Sequence, residues 1–117
     1  MSRSDPLLRL RHMYDYASEA IELLGDQSAE EVESNRVLQL ALVRLVEIVG
    51  EAASQVPADF RELHPNLPWR EASSMCNLLI HGYDIIRIDI LVNTIREDLG
   101  ALARQLQAIL GGDVNDT

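Results

Sequence analysis

Apolar residues return every three or four positions along nearly the whole of this chain, and that rhythm limits its fold more than any other feature. Leu10, Met13, Ala17, Ile21 and Leu24 form one such run. Val37, Leu38, Ala41, Leu42, Leu45, Ile48, Val49, Ala52 and Ala53 form a second. Ile88, Leu91, Ile95, Leu99, Leu102, Leu106 and Ile109 form a third. Such spacing gathers apolar side chains on one face of an α-helix, whereas a half-buried strand alternates. Valine and isoleucine are plentiful but keep the helical period, so no strand is expected.

The breaks in the rhythm fall at residues that start and stop helices. Asp5-Pro6 offers a cap followed by proline at the first helical position, and Gly25 closes the first run. Asp26 to Glu33 is acidic, and within it Ser28-x-x-Glu31 has the form of a capping box. The second run reaches about Val56, before Pro57. Ala58 to Leu63 fits a short turn of helix, and His64-Pro65-Asn66-Leu67-Pro68 a rigid loop between prolines. Trp69 to Ile80 reads as a third main helix, with Trp69 anchoring it in the core. Ile88 to Leu110 reads as the last helix, stopped by Gly111-Gly112 and followed by a frayed polar tail. The expected fold is all-α: an up-down bundle of about four to five helices. One domain spans residues 1–117, with its core at about 5–110.

A single domain of 117 residues buries roughly 65% of its unfolded surface, enough for a core without staples. The single cysteine, Cys76, excludes an internal disulfide. The N-terminus lacks the apolar run of a signal peptide, and no apolar stretch approaches the roughly 18 residues of a membrane span, so a cytoplasmic location is expected. The formal charge of −9 argues against general nucleic-acid binding, and DNA is not expected as a partner. One local cationic patch is still compatible with that charge. All 10 basic residues are arginine. Arginine suits paired or phosphate-facing positions, although coding bias in a GC-rich genome gives the same composition.

Chemistry concentrates in Met75-Cys76-Asn77-Leu78-Leu79-Ile80-His81-Gly82-Tyr83. On a helix, Asn77 and His81 share a face, and Gly82 leaves His81 near a helix C-terminus with Tyr83 just beyond. Taken residue by residue, blander roles compete. His81 could be held by the helix dipole, Asn77 by backbone, Cys76 as a buried thiol, and Tyr83 as a half-buried ring. His12 and His64 have no ligand-like partners, and neither metal nor cofactor is expected. Glu47 and Glu51 stand one turn apart, either solvated or facing the third helix to hold an arginine.

The order Gly50-Glu51-Ala52-Ala53, Pro65-x-x-Pro68-Trp69-Arg70, Met75-Cys76-Asn77-x-x-x-His81-Gly82-Tyr83 and a C-terminal amphipathic helix resembles the HepT-like branch of the HEPN superfamily. The resemblance implies a homodimeric ribonuclease toxin, paired with a minimal nucleotidyltransferase antitoxin of the MntA type and acting on RNA, with transfer RNA as a candidate substrate. The family motif joins an Arg and a polar residue to a His, often with a Tyr two positions later. His81, Tyr83 and Asn77 match, while Cys76 stands at the Arg position.

The implied cleavage needs no metal: the ribose 2′-OH attacks the adjacent phosphate and a 5′-OH leaves. His81 would serve as acid or base, and Asn77 would orient it or donate to a phosphate oxygen. The family also implies AMP transfer to Tyr83 by the partner. Cys76 cannot supply a guanidinium's charge and paired donors, and losing one such group costs roughly 10²–10³ in rate by analogy with oxyanion holes. A weak or inactive nuclease is therefore expected. The cysteine is either an introduced inactivating change or natural drift. Arg70, about three helical turns from His81, is too far to substitute within one chain, although a second protomer's arginine could reach. The alternative function is a non-catalytic helical scaffold that docks a nucleotidyltransferase.

Overall fold

The computed structural model describes residues 5–81 and 85–114. Helix α1 (Pro6–Leu24) starts at Asp5, whose side chain accepts the Leu7 N–H at 3.0 Å. It ends at Gly25, where φ of 56° suits glycine. Short α2 (Ala29–Glu33) carries the anticipated capping box: Ser28 Oγ accepts from Glu31 N at 3.1 Å, and Ser28 N donates to Glu31 Oε1 at 2.8 Å. Asn35 caps α3 (Arg36–Ser54) by accepting from Leu38 N, and α4 (Ala58–Leu63) follows Pro57.

Helices α1 and α3 pack along one another and close the core with the C-terminal helical run. Leu10, Met13, Leu42, Val46, Leu99, Leu102 and Leu106 are buried to 1% exposure or less. Each such side chain contributes on the order of 1.5–3 kcal/mol of burial. Gln39 is the polar exception on α3. Its amide donates to Val32 O and Glu33 O, both at 2.9 Å, and so ties the end of α2 to the longer helix. The α3 rhythm overestimates burial at its first turn, where Val37 is 78% exposed.

Two expected elements differ in the structure. The helix expected over Trp69 to Ile80 ends early: α5 (Trp69–Ser74) gives way to a 3₁₀ turn, Met75–Leu78. The chain then enters strand β1 (Ile80–His81), which pairs antiparallel with β2 (Ile85–Ile86) in the register Ile80–Ile86 and His81–Ile85. The expectation of no strand is thereby corrected. The last helix is helical throughout but not uniform. It runs as α6 (Ile88–Asn93), a π-turn (Thr94–Leu99) and α7 (Gly100–Val114). Gly111 and Gly112 do not stop it. Glycine accepts helical geometry at a cost of about 1 kcal/mol per residue.

Candidate functional site

The motif segment owes its shape to a helix that cannot continue. Ser73 Oγ donates to Trp69 O at 3.0 Å, and Ser74 Oγ to Arg70 O at 2.9 Å. Such bonds back to the preceding turn weaken and bend a helix end. No side chain caps α5, and the backbone tightens into the 3₁₀ turn. Met75 and Leu79 are buried there and pin the segment to the core, while Asn77 between them is exposed. The Arg87 N–H donates to Leu79 O at 2.6 Å and closes the short ladder.

Behind the segment lies α3. A Cβ built on Gly50 would sit 3.1 Å from Ala72 O and 3.4 Å from Ser73 O. The missing side chain lets α5 approach α3 almost backbone to backbone, so Gly50 sets the depth at which the motif leaves its helix. Trp69 fixes the other end of α5. It packs against the core, and its indole N–H donates to His64 O at 2.9 Å.

The expected helical arrangement of the motif residues is corrected. Asn77 lies in the 3₁₀ turn and His81 in extended backbone, so they do not share a helix face, and His81 does not end a helix. Nor does helical rise measure the distance from Arg70 on α5 to His81. The side chains of Cys76 and His81, and Gly82 and Tyr83 altogether, lie outside the described residues. Glu47 meets Arg44 of its own helix at 3.5 Å, and Glu51 is exposed.

Sequence reasoning missed Arg87, which the ladder brings beside the motif. The signal was available: β-branched Ile80, Ile85 and Ile86 flank a glycine-containing run, as in a hairpin.

A groove opens between α5 with its 3₁₀ turn and the π-turn. Its polar end, about 350 Å³, is lined by Glu71, Ser74, Met75, Asn77, Thr94 and Asp98. An adjoining end of about 220 Å³ shares Glu71, Met75 and Asp98 and adds Pro68, Ala72, Glu97 and Leu102. Among the described residues, no group of three or more His, Cys, Asp or Glu is placed to hold a metal ion. No described helix is long and apolar enough to cross a membrane.

Comparison with known proteins extends the reading from the motif to most of the chain. The chain is 35% identical over 96 residues to a "probable ribonuclease HepT" of Thermococcus cleftensis, covering 79% of this chain and 87% of the relative. It is 32% identical over 109 residues to a protein of Methanocaldococcus jannaschii named "putative RNase", covering 93% of this chain and 100% of that one. A protein of Caldanaerobacter subterraneus with the same description is 36% identical over 101 residues, covering 86% and 90%. No solved structure gives a significant match. The family described as Ribonuclease HepT-like matches residues 13–109, and the chain belongs to it.

Proposed function

We propose that this chain is the toxin component of a toxin–antitoxin pair. It carries a metal-independent endoribonuclease site on the motif segment, weakened by the thiol at position 76. The observation that carries the proposal is the order Cys76-Asn77-x-x-x-His81-Gly82-Tyr83 inside a chain of the HepT-like family. His81 exchanges protons with the ribose 2′-OH and the 5′ leaving oxygen. Asn77, exposed on the 3₁₀ turn, orients the substrate or the imidazole. Cys76 occupies the place of the guanidinium that would hold the phosphoryl oxygens, and a neutral thiol offers neither the charge nor the paired donors.

Further proposals follow from the family. The working form is a homodimer in the cytoplasm, the substrate is RNA, with transfer RNA as the first candidate, and an MntA-like nucleotidyltransferase silences the toxin by AMP transfer to Tyr83. The two-residue ladder supports a fixed site, because it holds the His81 backbone by pairing with β2 and does not depend on a fraying helix end.

The decisive test replaces Cys76 with arginine. Cys76→Arg is expected to raise RNA cleavage in the presence of chelator by at least about 10²-fold and to make expression toxic. Adding His81→Ala should abolish both effects. If Cys76→Arg leaves cleavage and growth unchanged while the protein stays folded, the nuclease reading fails. The scaffold reading, in which the chain only docks a nucleotidyltransferase, then gains support if that partner still co-purifies.

A further inference from the structure

Arg87 stands where an arginine does nothing for the local structure. It occupies the N-cap position of α6, and its side chain makes no capping hydrogen bond. A guanidinium has no acceptor to offer the free N–H groups of the first turn, and its charge lies at the positive end of the helix dipole. Other arginines are committed. Arg44 meets Glu47, and Arg96 on the π-turn donates to Gly25 O at 2.9 Å and Gln27 O at 2.5 Å. Among the described residues, the Arg87 guanidinium has neither an ion pair nor a hydrogen bond. Departures of this kind from local rules concentrate at functional sites.

The ladder brings this residue beside the motif. Exposure alternates along β2 and the residue after it: Ile85 is 57% exposed, Ile86 packs against the core, and Arg87 is exposed. Positions 85 and 87 therefore belong to the outer face of a pleated segment. His81 pairs with Ile85, and directly opposed positions share a face. Positions 81 and 87 are thus diagonal neighbours, and the bond from Arg87 N–H to Leu79 O holds the two segments together just beyond the ladder. Diagonal neighbours lie about 7–8 Å apart, within reach of a long side chain. Arg87 also borders a cleft of about 430 Å³ with Glu30, Glu33 and Asp89, all exposed. Their field lowers the pull of the guanidinium on a phosphate, so it can replace a dedicated clamp only in part.

We propose that Arg87 is a catalytic residue of this site, holding the scissile phosphate that Cys76 cannot hold. The proposal rests on the nuclease reading and assigns the residual activity of the weakened site to one side chain. In the cleavage step the 2′-oxygen gives its proton to His81 and bonds to phosphorus. The bond from phosphorus to the 5′-oxygen breaks, that oxygen takes the proton back, and a 2′,3′-cyclic phosphate remains. Negative charge grows on the non-bridging oxygens, where the paired N–H donors of Arg87 meet it.

The test measures cleavage of bulk transfer RNA in chelator by the native chain, Arg87→Asn, Cys76→Arg and the double variant. Arg87→Asn is expected to lower the residual cleavage by about 10²-fold or more. In the Cys76→Arg background the same change should cost less than about threefold, because position 76 then supplies the guanidinium. Arg87→Asn should also raise the thermal midpoint by roughly 2–5 °C, since asparagine caps a helix and arginine does not. A lowered midpoint, an equal loss in both backgrounds, or unchanged residual cleavage would overturn the proposal. A native chain that cleaves nothing while Cys76→Arg cleaves would also overturn it and leave the nuclease reading standing. Cleavage by neither chain would end both.

Discussion

The α1–α3 pair and the stretch from Trp69 to Ile86 are built from similar residues to opposite ends. Helices α1 and α3 have 19 residues each, and side chains of Asp5 and Asn35 accept the first free N–H groups. Helix α5 has 6 residues, no side-chain cap, and two serines that compete for its carbonyls. The first region accumulates burial over many turns and becomes a frame. The second spends only Met75, Leu79 and a two-residue ladder to hold its path, which leaves Asn77 at the surface. The contrast teaches that a polar group can be exposed from an apolar run when the run stops being a helix.

That contrast can be broken most directly with paired core truncations. Leu42 and Leu79 are both 0% exposed, one within α3 and one between the 3₁₀ turn and β1. Leu42→Ala is expected to cost about 3–5 kcal/mol in urea unfolding, because regular packing around it cannot collapse. Leu79→Ala should fall nearer 2 kcal/mol, since its irregular surroundings relax. Equal losses would show that the motif stretch is as rigid as the frame.

A smaller effect joins the two regions. Gly50→Val should cost roughly 1–3 kcal/mol by forcing α5 off α3. It should also shift the amide resonances of Met75 and Asn77 more than those of α1. Shifts confined to α3 would mean that the glycine does not set the position of α5. The smallest expected effect sharpens the frame side. Ser28→Ala removes half of the capping box and should lower stability by about 1 kcal/mol, with no change around residues 75–81.

The frame was legible because its signals are local. Asp5, Gly25, Pro57 and the Ser28–Glu31 box act on neighbours a few residues away, and each marks the boundary it announced. The motif stretch misled for a physical reason. Ala72, Met75 and Leu79 keep a helix-like spacing and are all buried, but a short helix followed by a 3₁₀ turn and a strand buries them as well. The π-turn was illegible because Arg96 finds its carbonyl partners about 70 residues away in the chain. Exposure of Val37 depends on where neighbouring helices end, which periodicity does not encode. The motif residues were legible as an ordered pattern, whereas the 3₁₀ setting of Asn77 and the approach of Arg87 needed the fold.

Arg96 has one more consequence. The loop that closes α1 and the wall of the acidic groove share a single anchor, because the same guanidinium holds Gly25 O and Gln27 O from within the π-turn. Opening either segment removes one contact that holds the other. A loop that looks remote from the motif is therefore joined directly to the groove wall, and a substitution at Gly25 or Gln27 that shifts those carbonyls is expected to change the groove width.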